Sequence, residues 1–184
     1  MNFYDRAMVM QMANELARKG EVICTLCQKP LMIHGCYQRQ IKDEEGNCQY
    51  GWVAQGHCSA CHKYPSLIPN FIMPYKHYEA AVIESVIMES EAGRNVEMLS
   101  DCAADASTMR RWIRQFKERG ALAVGWLISL LFTVYEWHIS ILELQNKELL
   151  KQLAQLLQAY SVPASGTIIG KVNIILTRYN CGFL

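Results

Sequence analysis

The spacing of apolar and polar residues along the chain predicts an α+β protein that is mainly helical. Residues 3–19 place apolar side chains at helical intervals and are followed by Gly20, a common helix terminator. Residues 31–39 and 48–54 have the composition of strands, and the polar segment 43–47 between them reads as a turn. The chain is therefore predicted to begin with one helix and a β-hairpin.

The next segment changes character because it is rich in proline. Residues 63–75 contain three prolines, which exclude a helix and predict an extended linker laid along the hairpin surface. Helical periodicity resumes at Tyr78 and is interrupted over 91–95. A short second helix over 96–102 and a third over 107–119 are predicted to follow.

The third helix has one apolar and one basic face, and either Asp105 or Ser107 is its predicted N-cap. Its apolar stripe follows the i, i+3, i+4, i+7 pattern and consists of Met109, Trp112, Ile113 and Phe116. The predicted DNA contacts are its basic and early polar residues: Ser107, Thr108, Arg110, Arg111, Arg114 and Lys117. Two short helices joined by a turn, the second one basic, are typical of a helix-turn-helix, although a solvated arginine face would give the same pattern.

The last third of the chain is predicted to be helical. Residues 121–135 are fifteen uncharged residues, fewer than the roughly 20 that a membrane-spanning helix needs, so they predict a buried helix. Leucines recur through 140–160 and form a stripe that could pack against 121–135 or against a second copy in a homodimer. Residues 161–166 are a predicted loop, and 167–184 are an apolar segment of undefined form.

Two pairs of cysteines have the spacing of metal-binding turns. Cys24 and Cys27 form one pair, Cys58 and Cys61 form the other, and thirty residues separate them. Four thiolates predict a closed, structural zinc site without a position for catalytic water, and iron could occupy the same ligands. His57 or His62 could replace one cysteine, and the alternative to a metal site is a set of buried or redox-active thiols.

The remaining cysteines and histidines show no ligand pattern. Cys36 and Cys48 are predicted to face each other or the core across the hairpin, and Cys102 and Cys181 to be buried as small apolar residues. Ordinary side-chain roles are expected for the other histidines: His34, His77 and His138.

Composition restricts the functional classes without choosing among them. Of the 184 residues, 51% are hydrophobic, which is enough for a packed core. The net charge of +1 gives no global basic signature, so nucleic-acid binding would need a local patch. Eight cysteines without a secretory signal predict a reducing, cytoplasmic location, in which thiolates bind metal rather than form disulfides.

Several motifs together resemble a known family. They are the two cysteine pairs, the strand His34-Gly35-x-Tyr37-x-Arg39, the stretch from Pro65 to Tyr75, and Ser107-Thr108-x-Arg110-Arg111-Trp112. The chain resembles small, transposase-related bacterial proteins of unknown function, in which a zinc ribbon precedes a helix-turn-helix. The resemblance covers about residues 20–120 and implies DNA binding related to mobile elements. The sequence departs from the usual pattern at Gln28 and His62, where many zinc knuckles have glycine, and at His57, where a basic residue is expected.

No enzymatic machinery is evident in the sequence. A transposase nuclease needs carboxylates that hold two metal ions on a sheet, and the residues after 120 are too few and read as helices. Glycine-rich phosphate loops and Gly-x-Ser-x-Gly turns do not occur. We therefore expect a non-catalytic DNA-binding protein with structural Zn²⁺ and no small-molecule substrate. The competing hypotheses are a protein-interaction module that uses the leucine-rich helix and, third, a thiol-oxidation sensor.

These expectations divide the chain into four regions. The regions are an N-terminal helix (1–20), a zinc ribbon with its linker (21–75), a helix-turn-helix (76–120) and a helical region (121–184).

Overall fold

The described residues form five helices and a small antiparallel sheet. The computed structural model describes residues 5–99, 102–136, 144, 147–160, 166–178 and 183. About half of the chain is helical. In chain order the elements are α1 (Arg6–Arg18), β1 (Met32–Lys42), β2 (Cys48–His57), β3 (Ser66–Leu67), α2 (Ala80–Glu91), a 3-10 turn (Val96–Met98), α3 (Ala106–Tyr135), α4 (Leu149–Leu157) and α5 (Ile168–Arg178).

The predicted hairpin is confirmed and is longer than expected. Strands β1 and β2 pair antiparallel from Met32 opposite His57 to Lys42 opposite Cys48, with an irregularity between Ile33 and Gly35. Strand β3 lies in the proline-rich segment, where an extended linker was predicted, and pairs with the other edge of β2. The linker is therefore held to the hairpin by main-chain hydrogen bonds as well as by apolar contacts.

Helix α1 packs on this sheet, close to the predicted bounds. Its N-cap is Asp5, whose carboxylate accepts hydrogen bonds from the backbone N–H groups of Ala7 and Met8. Val9 and Ala13 are buried against Ala54 of β2. These small residues allow the helix to lie close to the sheet.

The prediction of a short second helix over 96–102 is wrong. The described residues of this range, 96–99 and 102, contain a 3-10 turn, Val96–Met98, with Asn95 as its N-cap. The backbone N–H of Ala103 donates to the carbonyl of Glu44 in the hairpin turn, 3.2 Å away. This bond ties the chain to the hairpin just before α3 begins.

The prediction of separate helices over 107–119 and 121–135 is also wrong, since α3 runs without interruption for 30 residues. Glycine weakens a helix but does not end it, and the apolar stripe of α3 continues through Phe116, Ala123 and Leu127. Gly120 is buried where Leu149 of α4 approaches, so its small size permits close packing. None of the described helices is both long enough and apolar enough to cross a membrane.

The main core lies between α2, α3, α4 and α5. Trp112 and Phe116 of α3 are each 1% exposed in this core. The leucines of α4 that were predicted to form a stripe are buried against the same chain: Leu150, Leu153, Leu156 and Leu157. Residues 140–143, 145 and 146 of the predicted helix and 161–165 of the predicted loop lie outside the described residues, as do His138 and Cys181.

The sequence left the form of residues 167–184 undefined, and the structure shows that this segment contains helix α5. One side of α5 is buried in the main core, and Ile169, Val172 and Leu176 are fully covered there. The backbone N–H of Ile169 donates to the carboxylate of Glu84 on α2, at 2.8 Å. Helix α5 is thereby fixed to α2 at its N-terminal end.

Candidate metal centre

Each cysteine pair occupies a tight turn with the same backbone hydrogen bonds. In the first turn, Cys24 N–H donates to the carbonyl of Lys29 at 2.8 Å, and Gln28 N–H donates back to the carbonyl of Cys24 at 2.8 Å. In the second turn, Cys58 N–H donates to the carbonyl of Lys63 at 2.9 Å, and His62 N–H donates to the carbonyl of Cys58 at 2.8 Å. The two turns are therefore equivalent in structure, which was foreseeable from their equal spacing.

Gln28 and His62 adopt the backbone conformation that glycine would supply. Their φ angles are 59° and 55°, in the left-handed region that disfavours most side chains. The turns are closed in spite of this, because the hydrogen bonds to Cys24 and Cys58 hold both residues in place. The departure from glycine at these positions changes the cost of the turn but not its shape.

The turns bring the four predicted ligands together. The Sγ atoms of Cys24, Cys27, Cys58 and Cys61 all lie within 4.8 Å of one another. The Sγ atoms of Cys24 and Cys61 are 3.6 Å apart, and those of Cys27 and Cys58 are 3.4 Å apart. Four sulfurs about 2.3 Å from one ion in a tetrahedron would be about 3.8 Å apart. The four cysteines therefore lie close enough to hold a metal ion.

The electrostatics of the cluster favour a bound cation. A hydrogen bond from the backbone N–H of Cys61 lowers the pKa of the Cys58 thiol, and burial raises it. Together with hydrogen bonds from nearby thiols, the first effect outweighs burial and lowers the pKa to about 6. Burial, followed by the neighbouring sulfurs of Cys58 and Cys24, raises the pKa of Cys61 to about 12. Four adjacent sulfurs cannot all be ionised without a compensating positive charge, which a divalent ion would supply.

The histidines beside the second pair are not part of the sulfur cluster. The His57 ring lies 4.7 Å from that of Tyr64, and the His34 ring lies 5.0 Å from the same tyrosine. His34 is thus less isolated than its sequence context indicated. These ring contacts place His57 in an aromatic group next to the cysteine turns.

Cys36 and Cys48 were predicted to face each other or the core; they do not face each other, and Cys48 does not face the core. Cys36 pairs with Ala54 and Cys48 pairs with Lys42, at separate places along the hairpin. The Nε of Arg6 donates to Cys36 Sγ at 3.4 Å, while Cys48 is exposed. Cys102 is half-buried at the edge of the main core.

The predicted basic residues lie together on the first turns of α3. Arg110, Arg111, Arg114 and Lys117 are all exposed, and we call them the basic face of α3. At 100° per residue they occupy a sector of about 120°. Arg110 also forms an ion pair with Glu97 of the 3-10 turn.

Ser107 and Thr108 are engaged at the helix N-cap, which is Asp105. The hydroxyl of Ser107 and the backbone N–H of Thr108 both donate to the Asp105 carboxylate, as does the Thr108 hydroxyl at 2.8 Å. These hydrogen bonds, of which the one from the Ser107 hydroxyl has the largest effect, hold the pKa of the Asp105 carboxyl well below its usual range. The two residues predicted as DNA contacts therefore fix the start of α3.

A turn that sequence reasoning did not assign to the site lies beside this helix. The Nη2 of Arg39 donates to the carbonyls of Met73 and Lys76, at 2.9 Å and 2.8 Å. The Nζ of Lys76 donates to Gln115 Oε1 on α3. The sequence contained one indication of this turn, namely the two motifs that include Arg39 and Pro74-Tyr75. These motifs are far apart in the sequence but meet in the structure.

Comparison with known proteins finds a match to one family model in the central part of the chain. A domain of unknown function (DUF6431) covers residues 24–112. This segment extends from the first cysteine to Trp112 and includes both cysteine turns. No curated protein and no solved structure matches the chain.

Proposed function

We propose that the chain is a non-catalytic, transposase-related DNA-binding protein with a structural zinc ribbon. The basic face of α3 carries the proposal, because it gathers four exposed cations in a chain whose net charge is only +1. A local cation cluster on a helix can bind the phosphate backbone without a high net charge. The resemblance to transposase-related proteins supports the same function.

Zinc is the ion that the four thiolates fit best. Four sulfur ligands satisfy a tetrahedral zinc ion completely and leave no open position for water, so the ion's role would be structural. Bound zinc would hold the two cysteine turns together and, through the hairpin, help to fix the start of α3. Ala103 and Glu44 provide the main-chain link between the hairpin turn and that helix.

The proposed DNA-binding unit is a modified helix-turn-helix. Helices α2 and α3 pack together in the main core, and the 3-10 turn lies between them in the chain. Trp112 is buried and fixes the rotation of α3, so the basic face is directed away from the core. Arginines on this face are suited to phosphates and to guanine edges.

The competing interaction module has less support from the described residues. It was expected to use the leucine-rich helix, but the four core leucines of α4 are covered by the same chain. The described part of that helix therefore offers no leucine stripe to a partner protein or to a second copy.

The test is binding to random-sequence duplex DNA by the full chain over a series of salt concentrations. The Arg110→Ala, Arg111→Ala, Arg114→Ala variant should bind more weakly, and its slope of log K against log salt should fall by about 0.9 for each lost phosphate contact. A matched control removes three exposed cations elsewhere: Arg94→Ala, Lys147→Ala and Lys151→Ala.

Both variants lose three positive charges, so only a specific surface can distinguish them. The control should retain the affinity and the salt slope of the wild type. Equal losses in the two variants would show that net charge alone drives binding and would refute the assignment to α3.

A further inference from the structure

Tyr75 combines an almost completely exposed ring with an unfavourable backbone conformation. Its side chain is 97% exposed, the highest value among the large apolar side chains described. Its φ angle is 59°, in the left-handed region that favours glycine. Neither feature benefits the packing of the protein, and such positions are often associated with function.

The turn that carries Tyr75 is held firmly rather than left loose. We define the Tyr75 turn as residues 73–76. Arg39 of β1 bonds the carbonyls at both ends of this turn, Met73 and Lys76. Met73 itself is fully buried, which fixes the turn from below. The hairpin thus positions a tyrosine that makes little contact with the rest of the chain.

The Tyr75 turn lies next to the basic face of α3. Lys76 bonds Gln115, which lies one helical turn from Arg111. Burial, and then the nearby charges of Arg111 and Arg119, lower the pKa of Lys76. Phosphate is an anion that would relieve this repulsion between like charges.

We propose that Tyr75 is a DNA contact whose phenol O–H donates to a backbone phosphate at the edge of the basic face. This inference rests on the proposed DNA-binding function and extends it to a second element. Tyrosine hydroxyls commonly bond phosphates, where they fix the position of a protein on the duplex without reading its sequence. The Tyr75 turn and α3 would then bind adjacent phosphates.

Two substitutions separate this role from a structural one. Tyr75→Gly should relieve the unfavourable φ angle without removing buried surface, so the melting temperature should rise by about 3 °C. The same variant should bind duplex DNA about 10-fold more weakly, the loss expected for a hydrogen bond to a charged group. A gain in stability with a loss in binding is not expected for a purely structural residue.

The hydroxyl itself is tested by Tyr75→Phe, with Tyr50→Phe as the matched control. Tyr50 is 57% exposed. Its neighbour in the chain, Gly51, pairs with Arg39 across the hairpin. Because successive residues of a strand point to opposite faces, Tyr50 projects from the face opposite to that of Arg39. Tyr75→Phe should lose about 10-fold in affinity for random-sequence duplex DNA, and Tyr50→Phe should bind like the wild type.

The outcomes distinguish this inference from the function on which it rests. If the Arg110, Arg111, Arg114 variant loses affinity while both Tyr75 variants bind normally, the Tyr75 contact is refuted and the proposed function stands. If Tyr75→Phe binds normally and only Tyr75→Gly is weakened, the hydroxyl-to-phosphate contact is refuted. If the wild type does not bind DNA even at low salt, both proposals are refuted.

Discussion

Replacing Gly170 by alanine should destabilise the protein, because α5 packs against the proline-rich segment at this position. A Cβ atom on Gly170 would lie 2.1 Å from the carbonyl oxygen of Asn70 and 2.8 Å from Thr167 Oγ1. The first neighbour is backbone and cannot rotate away. The helix or the segment around Asn70 would have to move.

The size of the effect follows from two opposing terms. Overpacking of a close contact costs about 1–3 kcal/mol, and a clash with backbone belongs at the upper end of this range. Alanine recovers up to about 1 kcal/mol of helix propensity over glycine. The expected net loss is therefore about 2 kcal/mol in the free energy of unfolding.

Gly125→Ala is the matched control, since it makes the same change in the interior of another helix. No atom lies within 4 Å of the added Cβ at this exposed position in α3. Only the propensity term remains, so this variant should be about 1 kcal/mol more stable than the wild type.

Urea unfolding of the full chain, followed by circular dichroism, measures both changes under identical conditions. The two variants should differ by about 3 kcal/mol, which combines the loss and the gain. If Gly170→Ala were as stabilising as Gly125→Ala, α5 would not lie against Asn70 and the packing described here would be refuted.

Two further predictions concern the start of α3 and its core contact. Asp105→Ala should lower stability at pH 7. Because folding lowers the pKa of Asp105, its contribution is present in full above the unfolded pKa of about 4 and declines as the pH falls from there towards the much lower folded pKa, so the difference in thermal unfolding between the wild type and this variant should begin to narrow below about pH 4 and continue to narrow towards pH 2. Asp105→Asn keeps a capping oxygen and should retain more stability at pH 7; equal losses for both would contradict the cap assignment. Trp112→Ala should cost about 3–5 kcal/mol in urea unfolding because the indole is 1% exposed, whereas a loss below about 1 kcal/mol would contradict its burial.

Local patterns accounted for the features that sequence could predict. The gap of two residues in each cysteine pair places both sulfurs in one turn, so the metal-ligand cluster was predictable without knowledge of the rest of the fold. The hairpin followed from two apolar segments and a polar turn between them. The stripe containing Trp112 and Phe116 likewise identified the buried side of α3.

Features that depend on distant contacts were not predictable in this way. The sequence predicts separate helices on either side of Gly120, but packing along the whole of α3 outweighs the low helix propensity of glycine. The residues from Val96 onward have helical spacing, yet the structure has a 3-10 turn at Val96–Met98, and Ala103 bonds Glu44 of the distant hairpin turn. The proximity of Lys76 to α3 depends on Arg39, which is 37 residues away in the chain.

The metal content of the purified protein tests the central claim most directly, because the cysteine site supports the hairpin that positions both proposed DNA-contacting elements. Elemental analysis of the full chain should find one zinc ion per chain, and Cys27→Ser with Cys61→Ser should abolish it. The control pair Cys36→Ser with Cys48→Ser lies outside the sulfur cluster and should leave the zinc content unchanged. A wild-type protein without bound metal, or a control pair that loses it, would contradict the account.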